Sequence, residues 1–425
     1  MDKIRVIGGN ALKGTIVVKG AKNAVLPLMA CALLTDDEMV FENVPHLADI
    51  HTMTQVLQHL GADVTHENET LRVRANAIRN FDAPYELVSK MRASFWVLGP
   101  LLGRFHQAKI SLPGGCAIGT RPIDRHLYAM ERLGAQIDIQ NGYVQATSSG
   151  RLKGNKIIFQ PTVGGTMNAL MAAVLATGTT EIVNAAAEPE VTDLARCLNQ
   201  MGAKISGVGT RRLLVEGVDS LHGTTYKVVP DRIEAATYAV AAGITHGELY
   251  IENAHLYLME DVAFVLSRMG LDVIEKDNGL FVSGKDCELV ATDIVTEEFP
   301  GFPTDCQAQV MALMCLAKGT STVTENIFEN RFMHVQELVR MGANIHIQGT
   351  RTAVVRGVDA LSGAPVMASD LRASAALVLA GLAAKGETII NRIYHLDRGY
   401  DRLEEKLRSV GADIVRFRPI GDEEI

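Results

Sequence analysis

Leu60-Gly61-Ala62-Asp63-Val64 is the first of six occurrences of one short signature: a large apolar residue, Gly, usually Ala, one variable residue, then a β-branched residue. The others are Leu133-Gly134-Ala135-Gln136-Ile137, Met201-Gly202-Ala203-Lys204-Ile205, Met269-Gly270-Leu271-Asp272-Val273, Met341-Gly342-Ala343-Asn344-Ile345 and Val410-Gly411-Ala412-Asp413-Ile414. Their first residues are separated by 73, 68, 68, 72 and 69 positions. A period this regular over nearly the whole chain means six copies of one supersecondary unit. The residues before each copy carry a helical stripe, the Gly supplies a left-handed C′ position, and the branched residue begins a strand. In the last copy Leu403, Leu407 and Val410 recur at helical spacing while Glu404, Glu405, Lys406 and Arg408 fill the wet face. Apolar, β-rich runs at 15–19, 109–112, 156–160, 225–229 and 365–368 each enter a second helical stretch, so the unit reads β-α-β-α with further strands.

A chain of 425 residues exceeds what one core usually carries, and six units divide into two sets of three. With 47% hydrophobic and 21% charged residues the composition is that of a soluble globular protein. No run of about 20 uncharged apolar residues occurs and Met1-Asp2-Lys3-Ile4-Arg5 lacks the apolar core of a signal peptide, so a cytoplasmic protein without membrane attachment is expected. The formal charge of −8 argues against a nucleic-acid clamp, which needs a basic surface although it too is built of repeats. The six cysteines form no C-x-x-C pair and no His cluster has metal spacing; free thiols are expected. Only the tail after about Arg416 reads as loose.

Superposing the signatures makes the sequence its own alignment. Twelve residues before them lie Ala48, Arg121, Pro189, Tyr257, Glu329 and Arg398, expected near the start of the helix that each signature closes. A second column, about 36–41 residues before them, reads Gly20-Ala21-Lys22-Asn23, Met91-Arg92-Ala93-Ser94, Val163-Gly164-Gly165-Thr166, Pro230-Asp231-Arg232, Pro303-Thr304-Asp305 and Leu371-Arg372-Ala373-Ser374. Charged or small residues replace the apolar run in every copy. If three units pack about a pseudo-threefold axis, equivalent helix starts converge, and their unpaired N–H groups make an anion site. Lys22, Arg92, Arg121, Arg331, Arg372 and Arg398 would suit it to phosphate and carboxylate together, in a cleft between two domains. A lone Arg or Asp near a helix start is ordinarily a solvated residue or a cap; recurrence in one column is what singles these out. Asp305 stays ambiguous, because Thr304-Asp305 is good capping chemistry and a helix N-terminus weakens a carboxylate as a base.

One segment breaks the repeat. In Ser111-Leu112-Pro113-Gly114-Gly115-Cys116-Ala117-Ile118-Gly119-Thr120-Arg121-Pro122-Ile123-Asp124, three glycines between two prolines predict a mobile surface loop. Cys31, Cys197 and Cys315 lie among Ala, Leu and Met and read as small core residues, whereas Cys116 sits five residues from Arg121 with no apolar stripe. A thiol there is expected to be acidified and reactive, on a lid that excludes water.

The run from Pro113 to Pro122 closely resembles the cysteine loop of the UDP-N-acetylglucosamine 1-carboxyvinyltransferase family of enolpyruvyl transferases. Gly20-Ala21-Lys22-Asn23-Ala24, Pro230-Asp231-Arg232-Ile233-Glu234, Phe299-Pro300-Gly301-Phe302-Pro303-Thr304-Asp305, Glu329-Asn330-Arg331-Phe332-Met333-His334 and Arg398-Gly399-Tyr400 resemble the same family, and the similarity runs from residue 1 to about 415. The resemblance implies a two-domain inside-out α/β barrel of six β-α-β-α-β-β units, three per domain, with helices inside and sheets outside. Residues 22–229 would form one domain, carrying a lid at about 112–121; residues 1–21 and 230–425 would form the other, joined by a double crossover. The implied reaction adds the 3′-hydroxyl of UDP-N-acetylglucosamine to phosphoenolpyruvate and expels phosphate, opening peptidoglycan synthesis, with no cofactor and no metal.

By the same resemblance Lys22, Asn23, Arg121, Arg331, Arg372 and Arg398 hold phosphoenolpyruvate, Cys116 is the general acid and Asp305 the base near the sugar hydroxyl. Arg92, Arg121, Pro122, Ile123, Asp124, Arg125, Thr162, Val163 and Ile327, with Asp305, contact the sugar nucleotide. A small phosphonate epoxide such as fosfomycin is then expected to alkylate Cys116 before the other thiols. Some relatives have Lys where Ala48 and Gln160 stand, which puts nucleotide affinity rather than chemistry in question. The rival readings are a transferase like 5-enolpyruvylshikimate-3-phosphate synthase, which lacks the cysteine loop, and a ring-forming scaffold, which the acidic charge and the charged helix starts oppose.

Overall fold

In a computed structural model of the chain, residues 1–89, 91–112 and 123–419 are described. All six signature glycines are left-handed, with φ of 110°, 95°, 102°, 105°, 93° and 107° in chain order. Each is followed by a residue whose N–H reaches back to the helix: Ala62 to Leu57, Ala135 to Met130, Ala203 to Leu198, Leu271 to Leu266, Ala343 to Leu338 and Ala412 to Leu407, at 3.0–3.1 Å. This is the Schellman closure, which satisfies a carbonyl that the helix end would leave bare. A strand starts at once after every closure: Asp63–Glu67, Gln136–Gln140, Lys204–Ser206, Asp272–Lys276, Asn344–Gln348 and Asp413–Phe417.

Among the described residues these joints build six four-stranded sheets of one pattern. In the third repeat Lys156–Ile158 runs parallel to Thr179–Val183, which is antiparallel to Arg212–Glu216, which is antiparallel to Lys204–Ser206. With helices Val163–Ala173 and Pro189–Gln200 between the strands, the order is β-α-β-α-β-β. Strands such as Arg212–Glu216 alternate exposed and buried residues, so one sheet face is wet. Helices such as Arg232–Ile244 and Leu371–Ala383 are buried around nearly their whole circumference and form the interior.

The chain divides into two compact units, residues 1–19 with 230–425 and the described part of 20–229, each with three sheets and its own apolar core. Among the described residues the division falls after residue 19 and after residue 229, and the strands on either side of it pair within their own units. Lys13–Val17 pairs in parallel with Glu248–Glu252, and Thr225–Lys227 with Glu38–Glu42. In the sixth sheet the N-terminal strand Lys3–Ile7 lies between Glu387–Asn391 and Asp413–Phe417. Among the described residues no helix is long and apolar enough to cross a membrane.

Two details depart from the sequence reading. The run at 109–112 belongs to Gln107–Ser111, the central strand of the second sheet, because the short strand Asp82–Ala83 takes the parallel edge. Ala48 and Pro189 do begin their helices, but in the last two repeats the helices are cut to Val335–Arg340 and Leu403–Ser409, leaving Glu329 and Arg398 ahead of them. The last strand ends at Phe417, beside the Arg416 guanidinium that bridges Asp397 and Glu404.

Candidate active site

In the unit of residues 1–19 and 230–425 three equivalent helix starts behave in two ways. Asp231 caps helix Arg232–Ile244 by accepting from the N–H groups of Ile233 and Glu234, at 2.9 and 3.0 Å. Asp370 caps Leu371–Ala383 through the N–H groups of Arg372 and Ala373, at 2.9 and 3.1 Å. At the third start Pro303 takes the cap position, a single turn Thr304–Cys306 intervenes before helix Gln307–Met314, and no side chain caps. Asp305 is thereby released from capping, and its carboxylate accepts from Arg331 Nη2 at 2.7 Å and from Arg372 Nη2 at 3.0 Å. Both guanidiniums are 4% exposed and Asp305 is 27% exposed, so the pair of cations is interior and the carboxylate reaches the surface.

Arg372 is anchored on its other side. Its Nη1 donates to the Tyr400 hydroxyl at 3.2 Å, and that hydroxyl shares a 2.8 Å hydrogen bond with Thr237 Oγ1 and accepts from Gln309 Nε2 at 3.3 Å. Gln309 Nε2 also donates to the Asp305 carbonyl at 2.8 Å. Burial opposes the charge on Arg372, yet Asp305 and its other neighbours outweigh burial and lift its pKa above the ordinary arginine value. Arg331 lies over the Phe328 ring at 5.6 Å. Arg398 ends the turn Ile393–Arg398, half-buried, and after burial its charge is the next cause that lowers the His395 pKa. The backbone N–H of Ile327 donates to Glu325 Oε1 at 2.9 Å.

In the other unit Lys22 opens helix Lys22–Cys31 and its ammonium lies 3.3 Å from Asp49 Oδ2, with Asn23 half-buried beside it. Asp49 stands in the first turn of Ala48–Leu60 and is itself buried. Ile123 precedes helix Asp124–Arg132, where the Arg125 guanidinium faces Asp124 at 3.5 Å and donates to Gln160 Oε1. Thr162 caps helix Val163–Ala173 by accepting from the Gly165 N–H at 3.3 Å. Gly164 and Gly165 are required there: a Cβ would meet His126 at 2.9 Å in the first case and Thr162 Cγ2 at 2.6 Å in the second. His126 is buried, its Nδ1 bonded to the Asn168 amide at 2.8 Å; burial first, then the Arg92 charge, hold its pKa down at about 3.

Cys116, Arg121 and Pro122 lie outside the described residues. The five described cysteines are in no disulfide. Burial pushes the Cys306 and Cys315 thiols up to about 12, and Cys287 is also raised by burial. The sequence reading did not single out Asp49, Thr237, Gln309 or Glu325. Only Asp49 carried a signal, as the neighbour of Ala48 in the first column.

The chain matches the family EPSP synthase (3-phosphoshikimate 1-carboxyvinyltransferase) over residues 6–407. It is 57% identical to the UDP-N-acetylglucosamine 1-carboxyvinyltransferase of Paramagnetospirillum magneticum, covering 98% of this chain and 99% of the relative. It is 56% identical to the protein of the same name from Granulibacter bethesdensis, covering 98% and 100%. Among solved structures it is similar to the enolpyruvyl transferase NikO from Streptomyces tendae, with a TM-score of 0.88 at 25% identity over 98% of each chain. EPSP synthase from Acinetobacter baumannii shares the fold, with a TM-score of 0.77 at 18% identity.

Proposed function

The chain belongs to the enolpyruvyl transferases of the EPSP synthase family and, among them, to the UDP-N-acetylglucosamine 1-carboxyvinyltransferases, and from that premise we propose how its residues divide the reaction. The enzyme transfers the enolpyruvyl group of phosphoenolpyruvate to UDP-N-acetylglucosamine and releases phosphate. Lys22, Asn23, Arg121, Arg331, Arg372 and Arg398 hold the phosphoenolpyruvate anion. Arg92, Pro122, Ile123, Asp124, Arg125, Thr162, Val163 and Ile327 contact the sugar nucleotide, Arg125 acting together with Gln160 where some relatives place a lysine.

The observation that carries this reading is the release of Asp305 from the capping duty that Asp231 and Asp370 perform. Its two guanidiniums are strong bidentate sites for phosphate or carboxylate. An arriving anion that takes up their charge leaves the Asp305 carboxylate to receive the proton of the 3′-hydroxyl. The hydroxyl oxygen then bonds to the central carbon of phosphoenolpyruvate as the Cys116 thiol protonates the methylene carbon. The Cys116 thiolate then takes a proton from the resulting methyl group, the double bond re-forms as the bond from the central carbon to the phosphate oxygen breaks, and the departing phosphate carries off the proton held by Asp305, so that thiol and carboxylate are both restored.

Phosphate release tests the proposal. It is expected from phosphoenolpyruvate with UDP-N-acetylglucosamine and not with shikimate 3-phosphate, and fosfomycin is expected to abolish it by alkylating Cys116. Equal turnover with shikimate 3-phosphate, or label on the other cysteines, would overturn it.

A further inference from the structure

The six repeats supply an internal comparison at the end of each central strand. In the first, third and fourth repeats the residue there is an asparagine, Asn43, Asn184 and Asn253, at φ of 65°, 54° and 63°. Each side-chain amide donates to the carbonyl of the residue that follows the parallel edge strand: Val228 at 3.1 Å, Phe159 at 3.2 Å and Val18 at 3.3 Å. The equivalence is fixed by the backbone, since Val228, Phe159 and Val18 each donate their own N–H to the last residue of the central strand, at 3.0–3.1 Å. Thr296 makes that same bond to Thr324 at 2.9 Å in the fifth repeat, which places Glu325 where the asparagines stand.

Glu325 does something else. It is 0% exposed and forms no ion pair among the described residues. Its Oε1 accepts from Thr296 Oγ1 at 2.8 Å and from the backbone N–H groups of Ile327 and Phe328 at 2.9 and 3.1 Å. Its Oε2 accepts from Thr304 Oγ1 at 3.0 Å. A buried carboxylate without a counter-ion is costly unless its lone pairs are filled, and here four donors fill them. Two of the four lead to the candidate site by separate routes. Thr304 immediately precedes Asp305, and Phe328 carries its ring beneath the Arg331 guanidinium that Asp305 accepts from.

We propose that Glu325 is a positioning residue that fixes the Asp305 turn and the 326–328 loop to one another, so that the geometry of the base and the seat of the acceptor sugar nucleotide are set by one buried carboxylate. The inference rests on the functional reading above for the roles of Asp305 and Ile327. In the fifth repeat the N–H groups at 327 and 328 are held by Glu325, and the second helix begins only at Val335.

Glu325→Asn installs the residue that three other repeats use at this place. Thr304→Val removes one donor and Thr304→Ser restores it. With wild-type turnover established first, Glu325→Asn should lower kcat about 100-fold and Thr304→Val about tenfold, the loss expected when a reacting group is misplaced by about 1 Å. The KM for UDP-N-acetylglucosamine should rise roughly tenfold in Glu325→Asn while that for phosphoenolpyruvate stays within about twofold. Thr304→Ser should recover wild-type kinetics. Amide exchange, which needs no turnover, should quicken in Glu325→Asn at 303–306 and 326–328 together, so the positioning role is read even if the assigned reaction fails. Wild-type kinetics in Glu325→Asn, equal losses in Thr304→Ser and Thr304→Val, or a parallel rise of both KM values with exchange quickened throughout the unit would overturn the inference. Should Glu325→Asn not fold, the two Thr304 variants decide it alone.

Discussion

Asp305 and its counterparts Asp231 and Asp370 are the same residue type at equivalent joints, and what separates them is a proline. With Pro303 holding the cap position, the Asp305 side chain has no helix N–H to satisfy and meets two buried cations instead. Asp305→Asn keeps the shape and removes the proton acceptor, so kcat should fall at least about 100-fold, the usual scale of a lost general base. Substrate KM values should hold within about threefold, since the guanidiniums remain in place. Steady-state kinetics on both substrates check this, and unchanged kcat would reduce Asp305 to a counter-ion. The helix-start column of the sequence named both Asp305 and Arg372, because charged or small residues that interrupt the apolar run in every copy show in the letters. Glu325, Tyr400 and Asp49 were not legible as partners. Each is a buried polar group, and its part depends on which distant element it meets, which one sequence does not state.

The helix-to-strand joints were the most legible part of the fold, because a left-handed C′ position is a backbone demand that Gly alone meets cheaply. The boundaries of the shortened helices in the last two repeats were not: ahead of Leu403, for instance, the backbone passes through a left-handed Arg402 that no glycine announces. The six glycines are nevertheless unequal. A Cβ at Gly134 would meet nothing within 4 Å, while one at Gly61 would sit 2.6 Å from the Ala77 carbonyl oxygen. Gly134→Ala should therefore cost about 1–2 kcal/mol, the strain of a left-handed residue alone. Gly61→Ala should cost clearly more, because a backbone atom must also move. Urea unfolding of the two variants distinguishes them, and equal losses would show that the contact at Gly61 relaxes freely.

At the scale of the molecule, two buried groups in the unit of residues 20–229 set opposing responses to acid. His126 stays neutral in the fold, with a pKa of about 3, while the unfolded chain takes up its proton below 6.5; its contribution to stability is lost as pH falls between those values. Asp193 is buried, which raises its pKa to about 6, although its carboxylate accepts from the Tyr226 hydroxyl at 2.7 Å and the Val229 N–H at 3.2 Å. Between about 6 and 3.8 the folded chain binds a proton that the unfolded chain does not, so acid stabilises this site. Asp193→Asn removes that compensation. Its stability should fall more steeply than the wild type's over this window, by about 1.4 kcal/mol per pH unit. Urea midpoints measured across the window read the difference, and parallel curves would mean that Asp193 titrates normally.

The placement of Lys3–Ile7 between Glu387–Asn391 and Asp413–Phe417 bears on how the chain is made. The segment that includes 20–229 is continuous, so all its strands have left the ribosome long before the rest of the polypeptide. Lys3–Ile7 precedes both its partners by nearly the length of the two cores, and its edges stay uncovered until Glu387–Asn391 and Asp413–Phe417 have been made. Closing so long a loop adds little thermodynamic penalty but delays that sheet, so the unit of residues 20–229 can mature while the strands that complete the other are still to be made.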